Sequence, residues 1–288
     1  MRAILKEERE AETVQISKAE ATDMLALLSD AGVDKTLSKP LPVLPPNFLP
    51  LFREFDWHDN EPAYTPDACD RLSEYLTQAG VRIGADPGFK VVDVHGANLL
   101  NTTIGRFKLR GRADAMITPT EQAATVPQQQ GRVIVEFKTK CGTAAAGQGQ
   151  ILAEFVAASN LSRHDVMAVI TDLNDTAHIW RGEGNALLLW ENCTIKQAIK
   201  LMADFLNTMC APQGVHSPED ELVPGPPAAK RARREFQEKI QKLAPINELL
   251  RDQLEAFADQ GDEGWMSARE LVFGAMTAGG SPFLSYYV

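Results

Sequence analysis

The six residues Val133-Ile134-Val135-Glu136-Phe137-Lys138 leave the backbone few choices. Three β-branched residues in succession favour a strand. Because side chains alternate along a strand, Val133, Val135 and Phe137 share one face while Glu136 and Lys138 share the other. The first set predicts an apolar layer, and the second puts a carboxylate and an ammonium side by side opposite it. Upstream, residues 104–117 read as a preceding strand. On it Arg106, Lys108, Arg110 and Arg112 fall on the face that carries Asp114, and Phe107, Leu109, Ala113 and Ala115 on the other. The pattern predicts a sheet in which a basic face leads to an acid, with a Glu-x-Lys pair on the neighbouring strand.

Those residue types suit metal-dependent phosphodiester hydrolysis. Mg²⁺ binds carboxylate oxygens while keeping several waters, withdraws charge from phosphoryl oxygens and acidifies bound water. Asp114 and Glu136 supply such oxygens, and the carbonyl of Phe137 is a further donor. Lys138 is placed to orient the attacking water or to stabilise developing charge. The alternative is a salt bridge between Glu136 and Lys138 on a solvated sheet, since Glu-x-Lys is a common tripeptide. It occurs once in this chain.

Downstream, residues 147–159 predict a helix on which Gln150 and Glu154, four apart, share a face, while Ile151, Leu152 and Phe155 pack on the sheet. Gln150 can therefore reach the site, and Gln148, nearer the helix start, is the weaker candidate. Asp114, Glu136-x-Lys138 and this Gln-bearing helix resemble the PD-(D/E)xK, restriction-endonuclease-like superfamily. The run 166–180, Val-Met-Ala-Val-Ile-Thr-Asp-Leu-Asn-Asp-Thr-Ala-His-Ile-Trp, after Gln150-Ile-Leu-Ala-Glu154, resembles the nuclease-like domains of Crinkler-type effectors, which act in host nuclei. The likeness covers residues 47–210. It implies an α/β fold with a restriction-endonuclease-like mixed sheet flanked by helices. It also implies catalytic roles for Asp114, Glu136, Lys138 and Gln150, with Mg²⁺ or Mn²⁺ on Asp114 and Glu136. The expected function is binding and hydrolysis of nucleic acid, DNA favoured, in the host nucleus after secretion by a pathogen or symbiont. The alternative is a catalytically inactive module that binds nucleic acid or a host nuclear protein. Two features depart from the family: Ala113 stands where a proline precedes the metal-binding aspartate, and the segment 118–131 is long for a hairpin connection. No Walker A loop is present.

A formal charge of −10 argues against indiscriminate nucleic-acid binding. The four basic residues Arg106, Lys108, Arg110 and Arg112, with no acid among them, allow a local positive groove; the competing reading is a solubilised sheet face. Cys69, Cys141, Cys193 and Cys210 lack paired or zinc-ligand spacing and read as reduced, buried thiols. His178 reads as a half-buried sheet residue. Glu74, on a helix begun by Thr65 as cap and Pro66, is a candidate third carboxylate or a solvated helix residue. Asp172, Asn174 and Asp175 read as turn residues. No apolar signal-peptide core or membrane-length segment is legible, so no membrane partner is expected, and export would use a route or segment not seen here.

The expected organisation is a helical N-terminal extension and Pro-rich crossing (1–46), the nuclease-like domain (47–211), a Pro/Gly/acid-rich linker (212–230) and a helical C-terminal appendage (231–288). Residues 2–31 read as helix, stopped at Gly32. Strands are expected near 89–95, 104–117, 132–139, 166–171, 176–181 and 186–190, and a helix at 194–209. Lys230, Arg231, Arg233 and Arg234 form a cluster of the kind nuclear import receptors read, or the solvated first turn of a helix.

Overall fold

The apolar alternation builds two sheets. The computed structural model describes residues 12–49, 51–57, 61–122, 127–141, 147–210 and 235–241, all within one compact unit ending at Leu243. In chain order the elements are β1 (Glu12–Gln15), α1 (Ala21–Asp30), β2 (Lys35–Ser38), α2 (Thr65–Gln78), β3 (Phe89–Asp93), β4 (Thr102–Ile104), β5 (Phe107–Arg110) and β6 (Ala115–Pro119). They continue with α3 (Pro127–Gln130), β7 (Val133–Phe137), α4 (Gln148–Leu161), β8 (Met167–Thr171), β9 (Thr176–Glu183), β10 (Ala186–Thr194), α5 (Ile195–Cys210) and a last helix, α6 (235–241).

The main sheet is seven-stranded, in the order β2-β10-β9-β8-β7-β6-β3, and the smaller has three strands, β1-β5-β4. In the main sheet β7–β8 and β2–β10 are parallel and the other pairs antiparallel. Val133, Val135 and Phe137 face a core shared with α2 and α5, as expected. Ile134 and Met116 face the other core, made with α4, α1 and the small sheet. Hence α4 is covered on both sides. It buries every residue from Ile151 to Asn160, and each large apolar side chain fully buried there is worth roughly 1.5–3 kcal/mol. Gly149 permits this close fit, since a Cβ there would lie 1.9 Å from the carbonyl oxygen of Ala19.

Several sequence expectations are corrected. Residues 12–15 are a strand and the helix begins only at Ala21, because β1 finds a parallel partner in β5 that its own sequence does not announce. The segment ahead of the Pro-rich crossing is not a purely helical extension, since β2 adds to the main sheet beside β10. The single strand expected over 104–117 is three pieces. Gly105, at φ 56°, opens a two-residue turn between β4 and β5, and the chain then leaves the small sheet at Gly111 to enter the main one at Ala115. Helix α2 starts at Thr65 with Pro66 in its first turn, but Thr65 is buried and Tyr64 occupies the cap position. Within the expected C-terminal appendage, α6 is helical, and its Phe236 and Ile240 lie in the core beside α4. The linker 212–230, the basic cluster 230–234 and the remainder of the appendage lie outside the described residues. Among the described residues, no helix is long and apolar enough to cross a membrane.

Candidate active site

Three carboxyl groups meet where β6 begins and β7 ends. The antiparallel register Ala115↔Val135 runs on so that Asp114 arrives beside Glu136. The backbone N–H of Phe137 donates to Asp114 Oδ2 at 2.8 Å, which fixes that carboxyl across the strand pair. Glu136 projects on the α4 side, as the alternation predicts, and is only 5% exposed. Its Oε1 accepts from Lys138 Nζ at 2.6 Å and from Gln150 Nε2 at 2.6 Å. The Gln150 amide also donates to Glu154 Oε1 at 2.9 Å, bridging the two glutamates. Asp114, Glu136, Lys138 and Gln150 are thus brought together.

The electrostatics follow from burial. Desolvation raises the Asp114 carboxyl, opposed by the Phe137 N–H and Lys138. Glu136 is pushed from its ordinary 4.5 to about 7, first by burial and then by the Asp114 charge, with Lys138 and Gln150 opposing. Glu154, completely buried, is raised well above the ordinary carboxyl range by desolvation and then by Glu136. Its Oε2 has no hydrogen-bond partner. The Lys138 ammonium therefore faces a group of acids that repel one another, an environment that favours protons or added cations.

Glu154 is the residue that sequence reasoning undervalued. Its four-residue spacing from Gln150 marked the shared face, but residues 151–158 of α4 carry no other polar side chain, the signature of a buried helix, and a lone Glu in such a run signals a site. A second omission is the pair Asp93 and His95. His95 Nδ1 lies 2.5 Å from Asp93 Oδ1, and the His95 charge lowers the Asp114 carboxyl. Glu74, by contrast, sits on an exposed surface of α2 paired with Arg71 at 3.4 Å, apart from the acid cluster.

The basic ladder does not run up to Asp114. Lys108 and Arg110 occupy the small sheet, alternating with buried Phe107 and Leu109, whereas Asp114 belongs to the main sheet. Arg106 lies in the β4–β5 turn, 3.9 Å from Asp23 and over the Phe107 ring, and Arg112 is exposed in the crossing between sheets. The change of sheet between Arg110 and Ala115 breaks the shared-face alternation.

At the adjoining end of β8, Asp172 Oδ1 accepts from the backbone N–H groups of Asn174, Asp175 and Thr176 at 2.9–3.0 Å. Asn174 in turn holds both the N–H and the carbonyl of Phe55, and Trp57 Nε1 donates to the Asp172 carbonyl. These turn residues thus tie segment 52–57 to the strand ends beside Phe137. His178 is buried rather than half-buried, and its Nδ1 accepts from the Asn192 N–H at 3.1 Å. Cys69, Cys141 and Cys193 are free thiols, with Cys141 only partly buried.

Among the described residues, no group of three or more His, Cys, Asp or Glu side chains is arranged to hold a metal ion. Asp114 and Glu136 fit a sparser arrangement, the one or two carboxylates with retained waters that Mg²⁺ uses. Their mutual repulsion leaves negative character for a cation to offset. Compared with protein-family models, curated proteins and solved structures, the chain matches none.

Proposed function

We propose that this protein is a metal-dependent phosphodiesterase acting on nucleic acid, with a site of the PD-(D/E)xK kind. The observation that carries the reading is the convergence of Asp114, Glu136, Lys138 and Gln150 from two neighbouring strands and the covering helix, with Glu136 accepting from Lys138 and Gln150 at 2.6 Å and Asp114 accepting from the Phe137 backbone N–H at 2.8 Å. Asp114 and Glu136 would hold Mg²⁺ or Mn²⁺, which supplies charge withdrawal from the phosphoryl group and a more acidic water. Lys138 would donate to water or to a phosphoryl oxygen, and Gln150 orients the Glu136 carboxylate. The mixed sheet with helices on both faces supports the finer restriction-endonuclease-like reading, whereas the Crinkler-type effector reading and nuclear action rest on the sequence resemblance alone.

The test is cleavage of plasmid DNA and structured RNA by the purified chain, with Mg²⁺, with Mn²⁺ and with neither. Cutting should require the metal and be lost in Glu136→Gln and in Lys138→Ala. Undiminished cutting by both variants would remove the assignment. Nucleic-acid binding with no cutting under any condition would identify the inactive module instead.

A further inference from the structure

Beside the acid cluster stands a pair with the geometry of a proton-transfer device. Asp93 ends β3, the edge strand next to β6, and the backbone N–H of Val94 donates to the carbonyl of Asp114 at 2.9 Å. The chain turns at once, so His95 lies one residue beyond that bond. Its backbone N–H donates to Asp93 Oδ1 at 3.1 Å, and its Nδ1 meets the same oxygen at 2.5 Å. An ionised carboxylate can only accept, so Nδ1 carries the hydrogen and Nε2 is left to exchange a proton with whatever faces it. Both side chains are about one-third exposed, His95 at 32% and Asp93 at 30%. The pair is therefore open to a ligand.

Its position relative to Lys138 gives the pair a role. In the main sheet β6 lies between β7 and β3, so Asp114 is flanked by Lys138 on one side and His95 on the other, all at the same end of the strands. Lys138 and His95 both act to lower the Asp114 carboxyl. In-line phosphoryl transfer needs the entering and leaving oxygens on opposite sides of phosphorus. A phosphorus held at Asp114 would then have Lys138 toward one neighbouring strand and His95 toward the other.

We infer that His95, oriented by Asp93, is the general acid that protonates the leaving oxygen of a phosphodiester held at Asp114. The inference rests on the phosphodiesterase reading of that site. In the step, a water oxygen forms the new bond to phosphorus and its proton passes to solvent. The bond from phosphorus to the leaving oxygen breaks with its electron pair on that oxygen, which takes the proton from His95 Nε2. The imidazole is then reprotonated from solvent, and the net change is phosphodiester plus water to phosphomonoester plus alcohol.

The experiment compares two oligonucleotides of one sequence with Mn²⁺ present. One carries ordinary phosphodiesters. The other has sulfur in place of the bridging leaving oxygen, at the 3′ or 5′ side according to the product ends of the parent reaction. A thiolate leaves without a proton. In His95→Ala, kcat on the oxygen substrate should fall by about 10²–10⁴-fold, and on the sulfur substrate by no more than a few-fold. Asp93→Asn should show the same selectivity in weaker form. His95→Gln, which keeps a polar side chain of similar reach, must behave like the alanine variant, and melting curves of all variants establish that they fold. Equal losses on both substrates, or no loss on either, would overturn the acid role while parental cleavage and its loss in Glu136→Gln leave the site reading intact. A parent that cleaves neither substrate would overturn both.

Discussion

Glu136 should make the folded protein weaker at alkaline pH, and replacing it with glutamine should strengthen it. Burial and the Asp114 charge raise its carboxyl from 4.5 to about 7 in the folded state. The folded chain therefore holds that proton more tightly than the unfolded chain does. Below about pH 4.5 both states are protonated and the residue carries no charge penalty. As pH climbs to about 7 the fold must bear a charge that the unfolded chain accommodates in water. At 1.36 kcal/mol per pH unit, the interval is worth about 3 kcal/mol. The residue is nearly sealed from solvent, so bulk screening takes little from this figure.

Glu136→Gln removes the charge and keeps an oxygen for Gln150. At pH 8 it should stabilise the fold by about 3 kcal/mol, or about 6–12 °C in melting temperature for a unit of this size. At pH 4.5 the gain should fade to within error. Thermal melts of parent and variant from pH 4.5 to 8.5, without divalent ions, measure the difference and cancel titrations common to both. A variant less stable than the parent at pH 8 would mean that Lys138 and Gln150 outweigh the cost of burial, and the repulsive acid cluster would lose its energetic basis.

Two further outcomes follow from the fold. If Lys108 and Arg110 track a phosphate backbone, Lys108→Ala with Arg110→Ala should lower the slope of log affinity against log salt by about 2, measured by fluorescence anisotropy on duplex DNA; an unchanged slope places the contacts elsewhere. Gly149→Ala drives a methyl group into the Ala19 carbonyl, 1.9 Å from the ideal Cβ position, and should cost about 1–3 kcal/mol in urea unfolding, whereas a neutral result would mean α4 and the 16–19 segment are not in fixed contact.

Where the sequence carried strong local signals it led to the right elements. The alternation of β7, the Gln150–Glu154 spacing on α4 and the apolar runs of β8, β9 and β10 were all legible. The misses share one cause, which is dependence on distant partners. The four residues of β1 and the four of β2 have little apolar content, and each is a strand because an edge elsewhere in the chain accepts it in parallel. The break within 104–117 had a local mark, Gly-Arg between two alternating runs, which is hairpin chemistry. Reading through it joined Lys108 and Arg110 to an acid that belongs to a different sheet.

The same two-sheet arrangement decides how a substrate can approach. Glu136 is closed off on its own face by α4, and α4 is closed off in turn by α1 and the small sheet. On the opposite face α2 and α5 cover Val135 and Phe137. Access to Asp114 and Glu136 is therefore along the strand axes, at the end where Lys138 and His95 are each about one-third exposed. Lys108 and Arg110 stand on another sheet, and Arg112 is exposed in the crossing that joins that sheet to the strand ends. Arg112→Ala should then reduce cleavage of long duplexes more than cleavage of a dinucleotide, which is too short to span both sheets. Comparing kcat/KM for the two substrates tests that path. An equal loss on both would put Arg112 at the scissile phosphate, and no loss on either would separate the basic face from the acid cluster altogether.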